Sequence, residues 1–353
     1  MRRVILLLSI IAIGLGLAAF QSQQKPAGTG HTGKAYRFNK VREGVYHVVG
    51  TGALTVVGNS SVIVNDNDVI LVDDHVSPAA AWVLLDELKD ITTKPVRYVI
   101  NTHFHYDHAH GNQIFAPNVD IIGHEFTREM LLGGKSAQMP LYQNYVNGLP
   151  AQLENLKKAV ASESDAQKKA AAQTRLDIAQ NNAASQAELK PTPPNVTLRS
   201  EMTLHSRFQG NDREIQIRFI GRAHTGGDVV VYLPKEKVVM TGDMLVGAGI
   251  SNMSDAYVNE WVTTLDNLKK IDFDTVLPGH GEAFTDKAKI DYWQAYLRDV
   301  WTEVVKLKQQ GLSAEETAKR ADLTKHKDHF PTINGPGLPL IAVNRIYQLL
   351  DQK

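Results

Sequence analysis

Residues 101–112 read Asn-Thr-His-Phe-His-Tyr-Asp-His-Ala-His-Gly-Asn, and no other stretch limits the fold so tightly. Four histidines and one aspartate fall within eight residues. The apolar run Val96–Ile100 precedes them and reads as a buried strand. The polar side chains therefore sit on a loop at a strand's carboxyl end, a usual place for sites in sheet-based folds. Imidazole and carboxylate donors suit Zn²⁺. His103 and His105 are two apart, which points both rings the same way from extended chain. Asp107 and His108 follow at a spacing that allows a second ion beside the first. A solvated polar loop is the plain alternative for a lone histidine, and five such residues packed together argue against it.

Three further strand ends carry the same kind of residue. The alternating run 214–221 delivers Gly-Arg-Ala-His-Thr-Gly-Gly-Asp at 221–228. The apolar runs 229–233 and 238–240 lead to Thr241-Gly242-Asp243. The run 275–277 leads to Pro278-Gly279-His280-Gly281. Upstream, 45–50, 54–58, 61–65 and 69–72 read as short strands broken by Gly, Asn and Asp turns. The last of them ends in Asp73-Asp74-His75. Ser77-Pro78 then supplies a cap and a first-turn proline for a helix to about Asp90, with Trp82, Leu85 and Leu88 on its buried face.

His-x-His-x-Asp-His after an apolar strand, followed in order by these later motifs, resembles the signature of the metallo-β-lactamase-fold hydrolases. The resemblance runs from about Val41 to Phe284. It implies an α+β fold, the four-layer αβ/βα sandwich, here with a helical insertion and a helical C-terminal extension. Carried over position by position, it implies that His103, His105 and His224 hold one zinc and that Asp107, His108 and His280 hold a second. Asp243 bridges the two, and Asp73 supports the metal loop without being a ligand. It implies hydrolysis by a hydroxide shared between the ions, with Asp107 able to accept a proton during turnover.

The same cage serves many substrates, and fold does not choose among them. A small cyclic amide, ester or thioester is expected, with a β-lactam the leading named substrate. Asp243 points the other way, towards glyoxalase II-like thioesterases or lactonases. A non-catalytic periplasmic metal-binding protein is the non-enzyme alternative, disfavoured because every ligand position is filled. Asp107 and His280 together argue against a mononuclear iron dioxygenase.

Composition narrows this further. The chain has 353 residues, a formal net charge of +0 and no cysteine. Zero net charge gives no electrostatic footprint for nucleic acid, which also weighs against a nuclease. The lack of cysteine removes disulfides and thiolate ligands, so every metal donor must be N or O. The partner expected is a small-molecule substrate, as the hydrolase resemblance implies. Met1-Arg2-Arg3 and the apolar run to Phe20 read as a secretory signal over residues 1–24, or an uncleaved anchor, which implies a periplasmic or secreted protein. Residues 25–34 read as a linker and 35–285 as the hydrolase domain.

Within that domain, 126–200 reads as a helical insertion. Residues 151–190 hold eleven alanines, and Leu149, Leu153, Leu156 and Val160 share one helical face. The insertion is a lid or wall, a dimer arm, or a solvated appendage, and Tyr142 and Tyr145 are candidates for the mouth of a site. His110 and His124 read as residues near the metals or at the surface. His326 and His329 read as surface residues in a helical extension, 286–353. There, Ser313 and Glu316 form a capping box.

Overall fold

The structure is a computed structural model and describes residues 24–352. The expected signal segment falls almost wholly outside them.

Two sheets face each other. The first runs β1 (Tyr36–Arg42), β2 (Val45–Gly50), β3 (Ser60–Val64), β4 (Val69–Val72), β5 (Val96–Ile100), β6 (Asp120–His124) and β7 (Val196–Leu198), in that spatial order. Its first four strands are an antiparallel meander, and β4 to β7 pair in parallel. The second sheet is ordered β12-β11-β10-β9-β8, from β8 (Glu201–Phe208), β9 (Asn211–Phe219), β10 (Val229–Leu233), β11 (Val238–Gly242) and β12 (Thr275–Pro278). Only β11 and β12 are parallel within it.

A dry layer between the sheets comes from one face of each: Ile63, Ile70, Ile100 and Ile122 meet Ile215, Ile217, Val231 and Leu277. Strands such as β3, β4, β10 and β11 are buried along their whole length, as strands with cover on both faces must be. On the first sheet that cover is α1 (Pro78–Leu88). On the second it is α6 (Val258–Lys269), α7 (Ala288–Gln309), α8 (Ala314–Arg320) and α9 (Leu340–Asp351), centred on Trp261, Trp293 and Tyr296. The expected four-layer sandwich is thus present, and the C-terminal helices form part of its outer layer.

Local expectations hold in most places. Ser77 Oγ accepts the Ala80 amide at 3.2 Å and caps α1. The Ser313 and Glu316 capping box forms at the start of α8. In α1 the face shifts: Val83, Leu84 and Leu88 are buried, while Trp82 and Leu85 are half-buried, and the helix stops at Leu88, two residues early.

Four differences have physical causes. Residues 54–58 form no strand, because both edges of β2 are already taken by β1 and β3. The insertion is shorter than 126–200, since residues 196–198 form edge strand β7. It comprises α3 (Glu125–Leu131), α4 (Pro140–Ser162) and α5 (Ala166–Ala187), the last two an antiparallel pair with Leu149 buried and Leu153, Leu156 and Val160 half-buried. Residues 25–34, expected to be a linker, pack against the body: Asn181 Nδ2 donates to the Gly30 carbonyl, and the Ala27 amide donates to Glu188. His326, expected at the surface, is buried and bonds Asp299 at 2.7 Å. His329 is exposed as expected and stacks on Tyr292.

Candidate metal centre

All seven donors expected to bind metal converge at one edge of the sandwich. The strand ends of both sheets bring them there. The loop after β5 carries His103 and His105, and the single turn α2 (Tyr106–Ala109) carries Asp107 and His108. The loop between β9 and β10 carries His224. The residues just after β11 and β12 supply Asp243 and His280. Four donors thus belong to the first sheet and three to the second.

The distances are those of groups sharing cations. His105 Nδ1 is 2.8 Å from His224 Nε2. His108 Nε2 is 3.4 Å from Asp107 Oδ2 and 3.3 Å from Asp243 Oδ1. His280 Nε2 is 3.2 Å from both Asp107 Oδ2 and Asp243 Oδ2, and His224 Nε2 is 3.5 Å from Asp243 Oδ2. Three groups could each hold an ion: His103, His105 and His224; His103, His108 and Asp243; and Asp107, His108 and His280. Asp243 touches both halves, which is the position a bridging ligand needs.

Outer partners choose which nitrogen faces inward. Asp73 accepts the Thr102 amide at 2.7 Å, the Thr102 hydroxyl at 2.8 Å and His108 Nδ1–H at 2.9 Å. With Nδ1 held by Asp73, Nε2 is the nitrogen of His108 that faces the Asp107 and Asp243 carboxylates. Asp73 reaches this position with φ 62°, a left-handed conformation that aspartate tolerates better than most residues. Asp255, which the sequence reading did not single out, takes His105 Nε2–H at 3.0 Å and leaves Nδ1 inward. His103 Nδ1 lies 3.0 Å from Thr102 Oγ1. Among the described residues its buried Nε2 has no hydrogen-bond partner, and Asp243 Oδ1 has only the ion-pair contact with His108. Buried lone-pair acceptors turned to the inward side fit a cation there.

The electrostatics agree. Burial, then the neighbouring histidines, holds His103 and His224 below the usual imidazole range, His224 at about 3. These rings are neutral, as ligands must be. Burial also opposes charge on His280 and His108, yet the Asp243 and Asp107 carboxylates raise both, His280 to about 10. Those carboxylates stay well below their usual range despite burial, because His280 and His108 face them. The carboxylates thus favour positive charge on the imidazoles that face them, and a cation held between the same groups would satisfy them equally.

Backbone fit is close. A Cβ on Gly279 would lie 2.2 Å from Asp243 Oδ1, and one on Gly58 would lie 3.0 Å from His108 Nε2. Asn59 Nδ2 ties this loop to the Pro278 and Gly281 carbonyls at 3.2 and 2.8 Å.

The remaining candidates fall around the centre. Asp74 accepts the Gly111 amide. His75 lies buried between Ser60 Oγ and the Gly58 carbonyl and stacks on Tyr36. His110 is buried against Tyr142, and His124 caps α3. Tyr142 and Tyr145 do not line the mouth: their hydroxyls bond Gln186 and Asn182 of α5, and Tyr145 stacks on Tyr106. Their neighbour Leu141 lines it instead. The cavity over the donors measures about 490 Å³, walled by Val57, Leu141, Val246 and Ile250, with no lysine or arginine among its lining residues.

The chain is similar to several known proteins. Over 74 residues the chain is 35% identical to a metallo-beta-lactamase type 2 of Bacillus cereus, covering 20% of this chain and 29% of that protein. Over 287 residues it is 23% identical to a linear primary-alkylsulfatase of Pseudomonas sp., covering 75% of this chain and 50% of that protein. The chain thus spans half or less of the length of these curated relatives. A metallo-beta-lactamase from Pontibacter korlensis shares the fold with a TM-score of 0.52 at 17% identity, covering 74% of this chain and 99% of that one. The family model for the metallo-beta-lactamase superfamily matches residues 54–280, more than half of the chain, and the protein belongs to that superfamily of hydrolases.

Proposed function

We propose that the protein is a binuclear zinc hydrolase acting on a carbonyl substrate: an amide, ester or thioester. The observation that carries this reading is the convergence of seven nitrogen and oxygen donors from two sheets onto one buried point beneath an open cavity. His103, His105 and His224 would hold one ion, Asp107, His108 and His280 would hold the other, and Asp243 would be shared between them. Zinc bound there supplies Lewis acidity for activating water and polarising a carbonyl.

The chain's own groups do the rest. Asp73 and Asp255 fix the tautomers of His108 and His105 and keep their rings in place. Asp107 is ionised and lines the cavity, so it is placed to take a proton from the attacking water and return it to the leaving group. The apolar side chains Val57, Leu141, Val246 and Ile250 offer a surface for the apolar part of a substrate beside the donors.

A β-lactam is the first named substrate to try, since the B. cereus relative is a β-lactamase. A second reading is sulfate-ester hydrolysis, supported by the alkylsulfatase similarity, which extends over most of this chain. The test is turnover of a chromogenic cephalosporin, a p-nitrophenyl ester and a linear alkyl sulfate by zinc-loaded protein, each with a chelator control. Chelator-sensitive turnover of either carbonyl compound supports the proposal. Turnover of the alkyl sulfate alone replaces it with the second reading. His105→Ala and Asp107→Ala should each abolish hydrolysis while leaving the circular dichroism spectrum unchanged. Full activity in either, at matched zinc, sinks the ligand assignment.

A further inference from the structure

A second hollow of about 580 Å³ lies beside the metal cavity, and Leu141 lines both. One side is α4, through Leu141 and Asn144. The other is α9, through Ile341, Arg345 and Gln348. Asp255 lies in its floor, the same carboxylate that holds His105. The groove therefore starts where the metal centre ends, and its two walls are the helical insertion and the C-terminal extension.

Arg345 is its cation. Its Nε donates to the Ala256 carbonyl at 2.9 Å, and its guanidinium carbon sits 4.8 Å from the Tyr257 ring centroid. These two contacts fix the side chain and leave the two terminal nitrogens available. Among the described residues no carboxylate pairs with it. A positioned guanidinium with free donors, half-buried in a groove, is suited to a carboxylate or sulfate. Ala256 follows Asp255 in the chain, so Arg345 stands on the order of 10 Å from the His105 ring. The cavity directly over the metals offers no lysine or arginine at all.

We infer that the groove between α4 and α9 is an extension of the substrate site, in which Arg345 binds an anionic group carried on an arm remote from the scissile carbonyl. This rests on the hydrolase reading and names its substrate class: elongated carbonyl compounds with a distal anion, rather than a bare ring. Leu141, Ile341 and Met139 cover the aliphatic part of the arm, and Asn144, Asn344 and Gln348 offer amides to any polar part. Arg345 thus sets specificity and takes no part in bond breaking.

The probes are mono-p-nitrophenyl esters of α,ω-dicarboxylic acids of increasing length, each paired with the methyl ester of its free carboxyl. The readout is the ratio of kcat/KM for acid over methyl ester within one protein, which cancels general losses of activity. In the wild type this ratio should rise at least tenfold from the shortest to the longer chains, through KM. Arg345→Gln keeps a hydrogen-bond donor and removes the charge, and should flatten the ratio; Arg345→Lys should restore part of it. Ile341→Glu leaves Arg345 intact but places a carboxylate four residues before it on the same face, and should flatten the ratio too.

A ratio that ignores chain length, or that is the same in the wild type and Arg345→Gln, overturns the inference. Calorimetric binding of an inert α,ω-dicarboxylate to the zinc-loaded protein separates the two readings. If no ester turns over but the dicarboxylate binds at least tenfold more weakly to Arg345→Gln, the hydrolase reading falls and the anion site stands. Binding that is absent, or equal in both proteins, removes the anion site.

Discussion

Asp73→Asn is the sharpest single probe of the metal centre. Asp73 is 2% exposed and its carboxylate accepts three hydrogen bonds, from the Thr102 amide and hydroxyl and from His108 Nδ1. Asparagine keeps the volume and tolerates the φ of 62°, so the backbone need not move, as it would with alanine. The amide can offer oxygen to only one side. With oxygen facing Thr102, its NH₂ faces His108 Nδ1 and drives the ring proton to Nε2, where it blocks metal binding. With oxygen facing His108, the NH₂ opposes the Thr102 N–H and leaves a buried donor unpaired, at about 1–3 kcal/mol.

Losing a partner of this kind costs about 10–100-fold in metal affinity or activity. The expected result is one ion bound as in the wild type and a second bound 10–100-fold more weakly. Activity should be partly recovered in excess zinc, and the melting temperature should fall by a few degrees. Competition with a chromophoric chelator measures the two affinities. Two ions bound with wild-type affinity would refute the argument that Asp73 selects the His108 tautomer.

Other changes test neighbouring parts of the argument. Gly279→Ala places a Cβ 2.2 Å from Asp243 Oδ1, so it should displace the bridging carboxylate and lower zinc stoichiometry below two; unchanged stoichiometry by metal analysis contradicts the packing. Saturating zinc at about 100 times its Kd for each site should stabilise the fold by about 2.7 kcal/mol per ion, about 5 kcal/mol for two, over the chelated protein, read from urea midpoints. Asp228 is buried beside Thr225, and burial lifts its carboxyl from 3.8 to about 6 over the opposing hydrogen bonds from Thr225. Because the folded value is the higher one, its stability contribution is complete below pH 3.8 and lost as pH rises to about 6. In the chelated protein Asp228→Asn should therefore gain up to about 3 kcal/mol relative to wild type on going from pH 4 to pH 7.5; a constant difference contradicts it.

The donors were legible because each one ends a strand whose apolar pattern is plain, and strand ends need only local sequence to be found. The four-layer sandwich and the grouping of these donors into one ligand set came from the resemblance that the motifs carry, and the apolar pattern by itself gave neither. Asp255 was not legible: it sits in an irregular turn, and only the tertiary path of 251–257 brings it to His105. Edge strand β8 was legible and overlooked, for Met202, Leu204, Ser206 and Phe208 alternate with exposed residues. The entry to β1 is tied to Glu87 of α1, whose carboxylate accepts the Ala35 and Tyr36 amides, and residues 25–34 are tied to Asn181 and Glu188 of the insertion. No local pattern announces a contact between residues so far apart in the chain. The insertion was recognised by its alanines, but its tyrosines look outward in sequence and inward in space, held by Asn182 and Gln186.

The division of the donors between the sheets has a consequence for the integrity of the chain. His103, His105, Asp107 and His108 precede the tip of the α4–α5 hairpin, and His224, Asp243 and His280 follow it. A protease that nicks the exposed connection at residues 163–165 would leave each fragment with an incomplete set, neither able to enclose two ions by itself. Only the docked pair completes the cage, so a metal bound there would act as a clasp: it would add a further tie between the two pieces, beyond the dry layer between the sheets and the β6–β7 pairing that already join them.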